Sequence, residues 1–144
     1  MTISSAEEMQ RFAARFARTL TGGEVIALSG DLGAGKTVFV KGLARGLGIE
    51  ETVSSPTFTL MEAHAGGRLL LCHYDAYRLG SFDEAEAAGL TVYFGRPDCV
   101  CAVEWGENLG AEFSRMVTTE IRIGIVGENE RELTVHDKQT ARGA

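Results

Sequence analysis

The residues best equipped for chemistry lie in Gly30-Asp31-Leu32-Gly33-Ala34-Gly35-Lys36-Thr37, which fits the phosphate-binding pattern G-x-x-x-x-G-K-[ST]. Gly30, Gly33 and Gly35 allow left-handed backbone and, lacking a Cβ, let the chain curl closely around a phosphate. The expected ligand shell is main chain. It comprises the amides of Asp31, Leu32, Gly33, Ala34, Gly35, Lys36, Thr37 and Val38, reinforced by the positive end of a following helix dipole. Lys36 would reach the β- and γ-phosphates as a mobile point charge, and the Thr37 hydroxyl would ligate Mg²⁺. A glycine-rich turn with a chance Lys-Thr is the alternative. The flanks argue against it, because Glu24–Ser29 reads as a short buried strand and Val38–Arg45 as a helix. The chemistry indicated is binding of a nucleoside triphosphate.

Hydrolysis demands more: a second carboxylate to anchor the metal, and a water held in line with the γ-phosphate. Two acids stand at the ends of apolar strands, where an open α/β sheet places its ligand crevice. Asp75 follows Leu69-Leu70-Leu71-Cys72-His73-Tyr74, and Glu104 follows Val100-Cys101-Ala102-Val103. The second run is uninterrupted and better suits the metal-anchoring strand. Asp75 comes after polarisable His73 and opens a loop, which suits a group sensing the γ-phosphate. Thr57, behind Pro56, could reach the metal or the γ-phosphate as switch segments do, although a strand-leading threonine is the plainer reading. His73 is the only histidine near this centre, and no G-x-S-x-G elbow is present.

These groups need a scaffold. A helix is predicted from Ser5, which stands in a capping box with Glu8, and Met9, Phe12, Ala13, Phe16, Ala17 and Leu20 recur on one face. Arg11, Arg15 and Arg18 lie on the opposite flank, as a solvated face or a docking surface for an acidic or RNA-bearing partner. Gly46-Leu47-Gly48 closes the helix after the phosphate loop. Phe58–Ala63 and Leu69–Tyr74 flank Ala65-Gly66-Gly67-Arg68 as a β-hairpin. Ser81 caps a short Ala/Glu-rich helix, Gly89–Pro97 is loop-like, Cys99–Val103 is a strand, and Ile121–Val126 with Glu132–His136 make a second hairpin. The fold class expected is α/β: a P-loop NTPase fold with a mixed, mostly parallel sheet, flanking helices and hairpin insertions. Residues 1–137 are expected to form one domain, with 138–144 a disordered tail.

Composition sets the outer bounds. Hydrophobic content of 44% and charged content of 24% are ordinary for a soluble domain, and no apolar run approaches a membrane span, so a cytoplasmic monomer is expected. A net charge of −6 disfavours direct, unaided grip on nucleic acid. Cys72, Cys99 and Cys101 form no C-x-x-C pair and are expected as core thiols.

Four segments in fixed order, GDLGAGKT at Gly30–Thr37, SSPTFTL at Ser54–Leu60, HYDAYRL at His73–Leu79 and VEWGE at Val103–Glu107, resemble the TsaE (YjeE) family of small bacterial P-loop ATPases. The first motif is shared by many NTPases; the ordered set is far more specific. The resemblance implies ATP hydrolysis with Mg²⁺ in support of N6-threonylcarbamoyladenosine synthesis on tRNA. It implies a TsaB–TsaD heterodimer as partner, with tRNA reached only through that complex. By the same resemblance Lys36 and Thr37 hold phosphates and metal, Glu104 is the second metal anchor, and Thr57 belongs to a switch segment. Asp75 acts at the γ-phosphate, and Arg131 lies against the nucleotide. Tyr74, Ala76 and Gly106 depart from the usual family residues without removing a charged or ligating group.

Three other functions share a phosphate loop of this kind. A small-molecule kinase would need an arginine-rich lid, and Gly80–Pro97 offers only Arg96. A regulatory GTPase would need an N-K-x-D or T-K-x-D segment, and the chain has neither. A nucleotide-bound scaffold without turnover differs only in rate; beside the switch segments the only candidate arginine fingers are Arg78 and the distant Arg131.

Overall fold

A computed structural model describes residues 1–31, 33–53, 56 and 59–138. Apolar runs at Val25–Ser29 (β2), Leu70–Asp75 (β4) and Cys99–Glu104 (β5) form the centre of a sheet, the alternating Thr119–Ile125 (β6) buries Thr119, Ile121 and Ile123 beside β2, and the four pair as neighbouring parallel strands. Antiparallel strands close both edges. Met61–His64 (β3) pairs with β4, Arg131–Asp137 (β7) with β6, and Thr2–Ile3 (β1) with β7. The resulting seven-stranded sheet has the order β1-β7-β6-β2-β5-β4-β3. It is mixed because the two hairpins fold back at its margins, as the turn signals predicted.

Helices cover both faces. On one, Ala6–Ala17 (α1) and Lys36–Leu47 (α2) pack over Ile26, Leu28, Leu71, Val100, Ala102 and Ile121. Ser5 Oγ accepts the Glu8 amide at 3.0 Å, so the predicted cap is made; the Glu8 carboxylate reaches back to the Ser4 amide instead of that of Ser5. Phe39, fully buried, packs its ring against Phe12 and Phe16 of α1. The helices approach closely because a Cβ at Gly42 would lie 2.6 Å from the Gln10 carbonyl, and one at Gly46 2.3 Å from that of Ala14. On the other face Phe82–Ala87 (α3) and Gly110–Met116 (α4) bury Phe82, Ala85 and Phe113 against Cys72, Tyr74, Cys101 and Val103.

The boundaries differ from expectation where distant pairing decides them. The strand expected from Phe58 begins at Met61, with position 58 outside the described residues. Two-residue β1 and short α4 carry too little periodic pattern to be foreseen. Within the loop-like Gly89–Pro97 segment, Leu90–Tyr93 forms a 3-10 turn whose Leu90 carbonyl accepts the Tyr74 hydroxyl. Lys138, placed in the tail by sequence, is tied down: its amide donates to the Thr118 carbonyl and its ammonium to the Ser114 carbonyl. Positions 139–144 lie outside the described residues.

All three cysteines are free and buried. Cys72 and Cys101 stand opposite each other on β4 and β5. Hydrogen bonding with the Cys101 thiol, helped by burial, pushes the Cys72 thiol up, and burial pushes the Cys99 thiol up to about 12. They are core thiols, as composition suggested.

Candidate nucleotide site

The phosphate loop joins the end of β2 to the start of α2. Gly35 is the helix N-cap with φ of 112°, and among the described residues no side chain caps it. The amides of the first turn have no intrahelical partner, and no acidic residue occupies that turn, so the helix start is left for an external anion. Gly30 has φ of 150°, and a Cβ there would lie 2.5 Å from the Ile123 carbonyl; only glycine fits this close pass.

Lys36 is 5% exposed, and its ammonium lies 4.2 Å from the centre of the Trp105 ring. Such a contact holds a cation against the electron-rich ring face. Trp105 has a left-handed backbone with φ of 62°, and its ring meets Tyr77 edge-on at 5.1 Å. Asn108 fastens the neighbourhood, donating from Nδ2 to the carbonyls of Ala76 and Tyr77. The turns that follow β4 and β5 are thereby locked together.

The two strand-end acids are adjacent. Asp75 and Glu104 are register partners on β4 and β5, and Leu28 of β2 is the partner of Glu104 on the other side. Neighbouring strands run about 4.8 Å apart, so two carboxylates sit side by side next to the strand that feeds the phosphate loop. Alternation along each strand puts both acids on the α1–α2 face, with Leu71 and Ala102. His73, fully buried, places Nε2 2.6 Å from Glu104 Oε2. Among the described residues no cluster of three or more His, Cys, Asp or Glu could hold a metal ion by itself. The oxygen donors present, the Thr37 hydroxyl and the Glu104 carboxylate, suit a hard cation that takes its remaining ligands from phosphate and water.

Beside the loop lies a cleft of about 420 Å³, within the range of small-molecule sites. Ser5, Met9, Gly35, Val38, Asn129 and Arg131 are among its walls, so α1, the phosphate loop and the β6–β7 turn all contribute. Arg131 works as a clamp. Its Nε donates to the Ala34 carbonyl at 3.1 Å and Nη2 to that of Gly33 at 3.2 Å, while Nη1 reaches the carbonyls of Gly127 and Glu130. The guanidinium grips the back of the phosphate loop and fixes it to the hairpin turn.

The structure therefore brings together most of the residues picked from sequence. Gly33, Ala34, Gly35, Val38 and Arg131 share one cleft, and Lys36 approaches Trp105, the residue after Glu104. Asp75 flanks Glu104, Thr37 occupies the first turn of α2, and the carbonyl of Asp31 accepts the Ala34 amide. Leu32 and Thr57 lie outside the described residues. Two contacts escaped sequence reading, the His73–Glu104 bond and the Trp105 seat for Lys36. Strand alternation, which puts His73 and Asp75 on one face, was the available clue to the first.

The family model described as threonylcarbamoyl adenosine biosynthesis protein TsaE matches residues 3–134. The tRNA threonylcarbamoyladenosine biosynthesis protein TsaE of Treponema pallidum (strain Nichols) is 41% identical over 138 residues, covering 91% of this chain and 95% of that protein. The TsaE protein of Bacillus subtilis (strain 168) is 43% identical over 128 residues, covering 89% and 78%. The crystal structure of Bacillus subtilis YdiB superposes with a TM-score of 0.74 at 31% identity, covering 99% of this chain and 93% of that one. The fold is the α/β P-loop nucleotide-binding fold, and this chain belongs to the TsaE family.

Proposed function

We propose that the chain binds ATP with Mg²⁺ at the strand-end site and hydrolyses it as the accessory subunit of a TsaB–TsaD complex that makes N6-threonylcarbamoyladenosine on tRNA. The observation that carries the reading is the juxtaposition of Glu104 with the strand feeding the phosphate loop, next to the residue over which the Lys36 ammonium sits. The names of its relatives supply the pathway.

In this reading the first-turn amides of α2 and Lys36 bind the β- and γ-phosphates, and the sugar and base lie in the cleft walled by Val38 and Arg131. Thr37 and Glu104 hold Mg²⁺, which supplies charge neutralisation on the phosphates when bound. Asp75, beside Glu104, orients water toward the γ-phosphate, and Thr57 belongs to the segment that senses it. The two strand ends are already braced by Asn108, so little rearrangement is needed to hold the acids in place. Residues 1–137 act as one domain, a cytoplasmic monomer when isolated, and tRNA is met only through the partners.

Turnover is slow alone and rises when TsaB and TsaD complete the site. Asp75→Ala tests the division of roles: ATP affinity stays within about threefold while turnover falls by about a hundredfold or more, the range for losing an oriented acid or base. Collapse of affinity in that variant, or full-speed hydrolysis by the lone chain unchanged on adding both partners, contradicts the proposal.

A further inference from the structure

We propose that His73 is a positioning residue for Glu104, fixing one carboxylate oxygen so that the other faces the metal; this rests on the reading of Glu104 as the Mg²⁺ anchor. The geometry is specific. His73 Nε2 lies 2.6 Å from Glu104 Oε2, and the two side chains are 0% and 7% exposed. A carboxylate accepts only, so the proton of the bond sits on Nε2. The ring's Nδ1 is buried with no hydrogen-bond partner among the described residues.

A polar ring half satisfied in the core costs stability that an aliphatic residue of similar size would not. His73 sits on the α1–α2 face of β4, the face that carries Leu71, and its register partners are Ala102 in β5 and Glu62 in β3, while within hydrogen-bond distance its Nε2 meets the Glu104 carboxylate. The imidazole makes sense as the support of the acid it touches. Glu104 comes at the end of its strand, where a flexible side chain has several rotamers, and the bond to a rigid buried ring selects one of them. An imidazole N–H donated to a carboxylate is a recurring way of orienting a metal ligand, and loss of such a supporting partner weakens metal binding about 10- to 100-fold.

The test is the Mg²⁺ dependence of binding of a fluorescent ATP analogue to the full chain, read at equilibrium without turnover. His73→Leu keeps wild-type affinity in EDTA but raises the Mg²⁺ half-saturation by about 10- to 100-fold. His73→Gln, whose amide nitrogen falls near the position of Nε2, returns to within about fivefold of wild type, whereas His73→Asn, placing it near Nδ1, behaves like the Leu variant. If the Leu variant does not fold, the Gln and Asn variants decide between the outcomes. Unchanged Mg²⁺ half-saturation in His73→Leu, or equal behaviour of Gln and Asn, overturns the positioning role. Indifference of both wild type and Glu104→Gln to Mg²⁺ defeats the parent reading of Glu104 instead.

Discussion

Arg131 offers the most informative single substitution. Its guanidinium spans the carbonyls of Gly33 and Ala34 in the phosphate loop and those of Gly127 and Glu130 in the β6–β7 turn. A hydrogen bond from a charged donor contributes about 1.5–3 kcal/mol when shielded from water. These bonds are partly exposed, so solvent recovers much of that, and we expect Arg131→Ala to cost about 1–2 kcal/mol in total. The clamp pins a loop rather than the core. Most of the loss should therefore surface as a less organised phosphate site, with ATP affinity falling about 3- to 15-fold. The melting temperature should drop by no more than about 2–4 °C, corresponding to about 1 kcal/mol for a chain of this size. Arg131→Lys should recover little, because a single ammonium cannot span carbonyls on both sides of the clamp. Titration of a fluorescent ATP analogue, paired with thermal unfolding, measures both quantities. Wild-type affinity in Arg131→Lys would show that charge, not the planar fork, is what matters, and the clamp argument would be refuted.

Trp105 is the only tryptophan in the chain, and the Lys36 ammonium sits over its ring. Nucleotide binding, which draws Lys36 toward phosphate, should change its emission, and Lys36→Ala should alter the emission of the free protein; constant emission in both cases contradicts the contact. Gly46→Ala should destabilise by about 1–3 kcal/mol or prevent folding, because the added methyl meets the Ala14 backbone. A melting temperature equal to wild type would mean the α1–α2 crossing is looser than described. The buried thiols make stability pH-dependent with a defined sign. The Cys99 thiol, raised in the folded chain from 9.0 to about 12, contributes stability fully present below pH 9.0 and lost as pH rises toward 12. Denaturant titrations of Cys99→Ala should show a shallower alkaline decline than wild type by about 1.4 kcal/mol per pH unit in that window. Identical slopes would count against a buried, protonated thiol.

Local chemistry was readable along the chain. The Ser5 and Ser81 caps depend on neighbours a few residues apart and formed where spacing indicated, and both hairpins formed about the expected turns, the first with a strand that starts at Met61 instead of position 58. The strand-end acids were recognisable by the apolar runs ahead of them. That Asp75 would stand beside Glu104 required the β4–β5 register, a pairing across 29 positions that no local signal encodes. The His73–Glu104 bond depends on the same register. Arg131 was reached only through family resemblance, since 97 positions separate it from Ala34. Short β1 exists because β7 is there to receive it, and α4 is too brief for hydrophobic periodicity to announce it.

Calorimetric titration of ATP with and without Mg²⁺ into wild type, Lys36→Ala and Glu104→Gln tests the central claim most directly. Wild type should bind a single ATP per chain. Lys36→Ala should weaken binding by about tenfold or more under both conditions, whereas Glu104→Gln should lose only the Mg²⁺-dependent part of the affinity. Wild-type affinity in both variants would contradict a nucleotide site built from the phosphate loop and the adjoining strand ends.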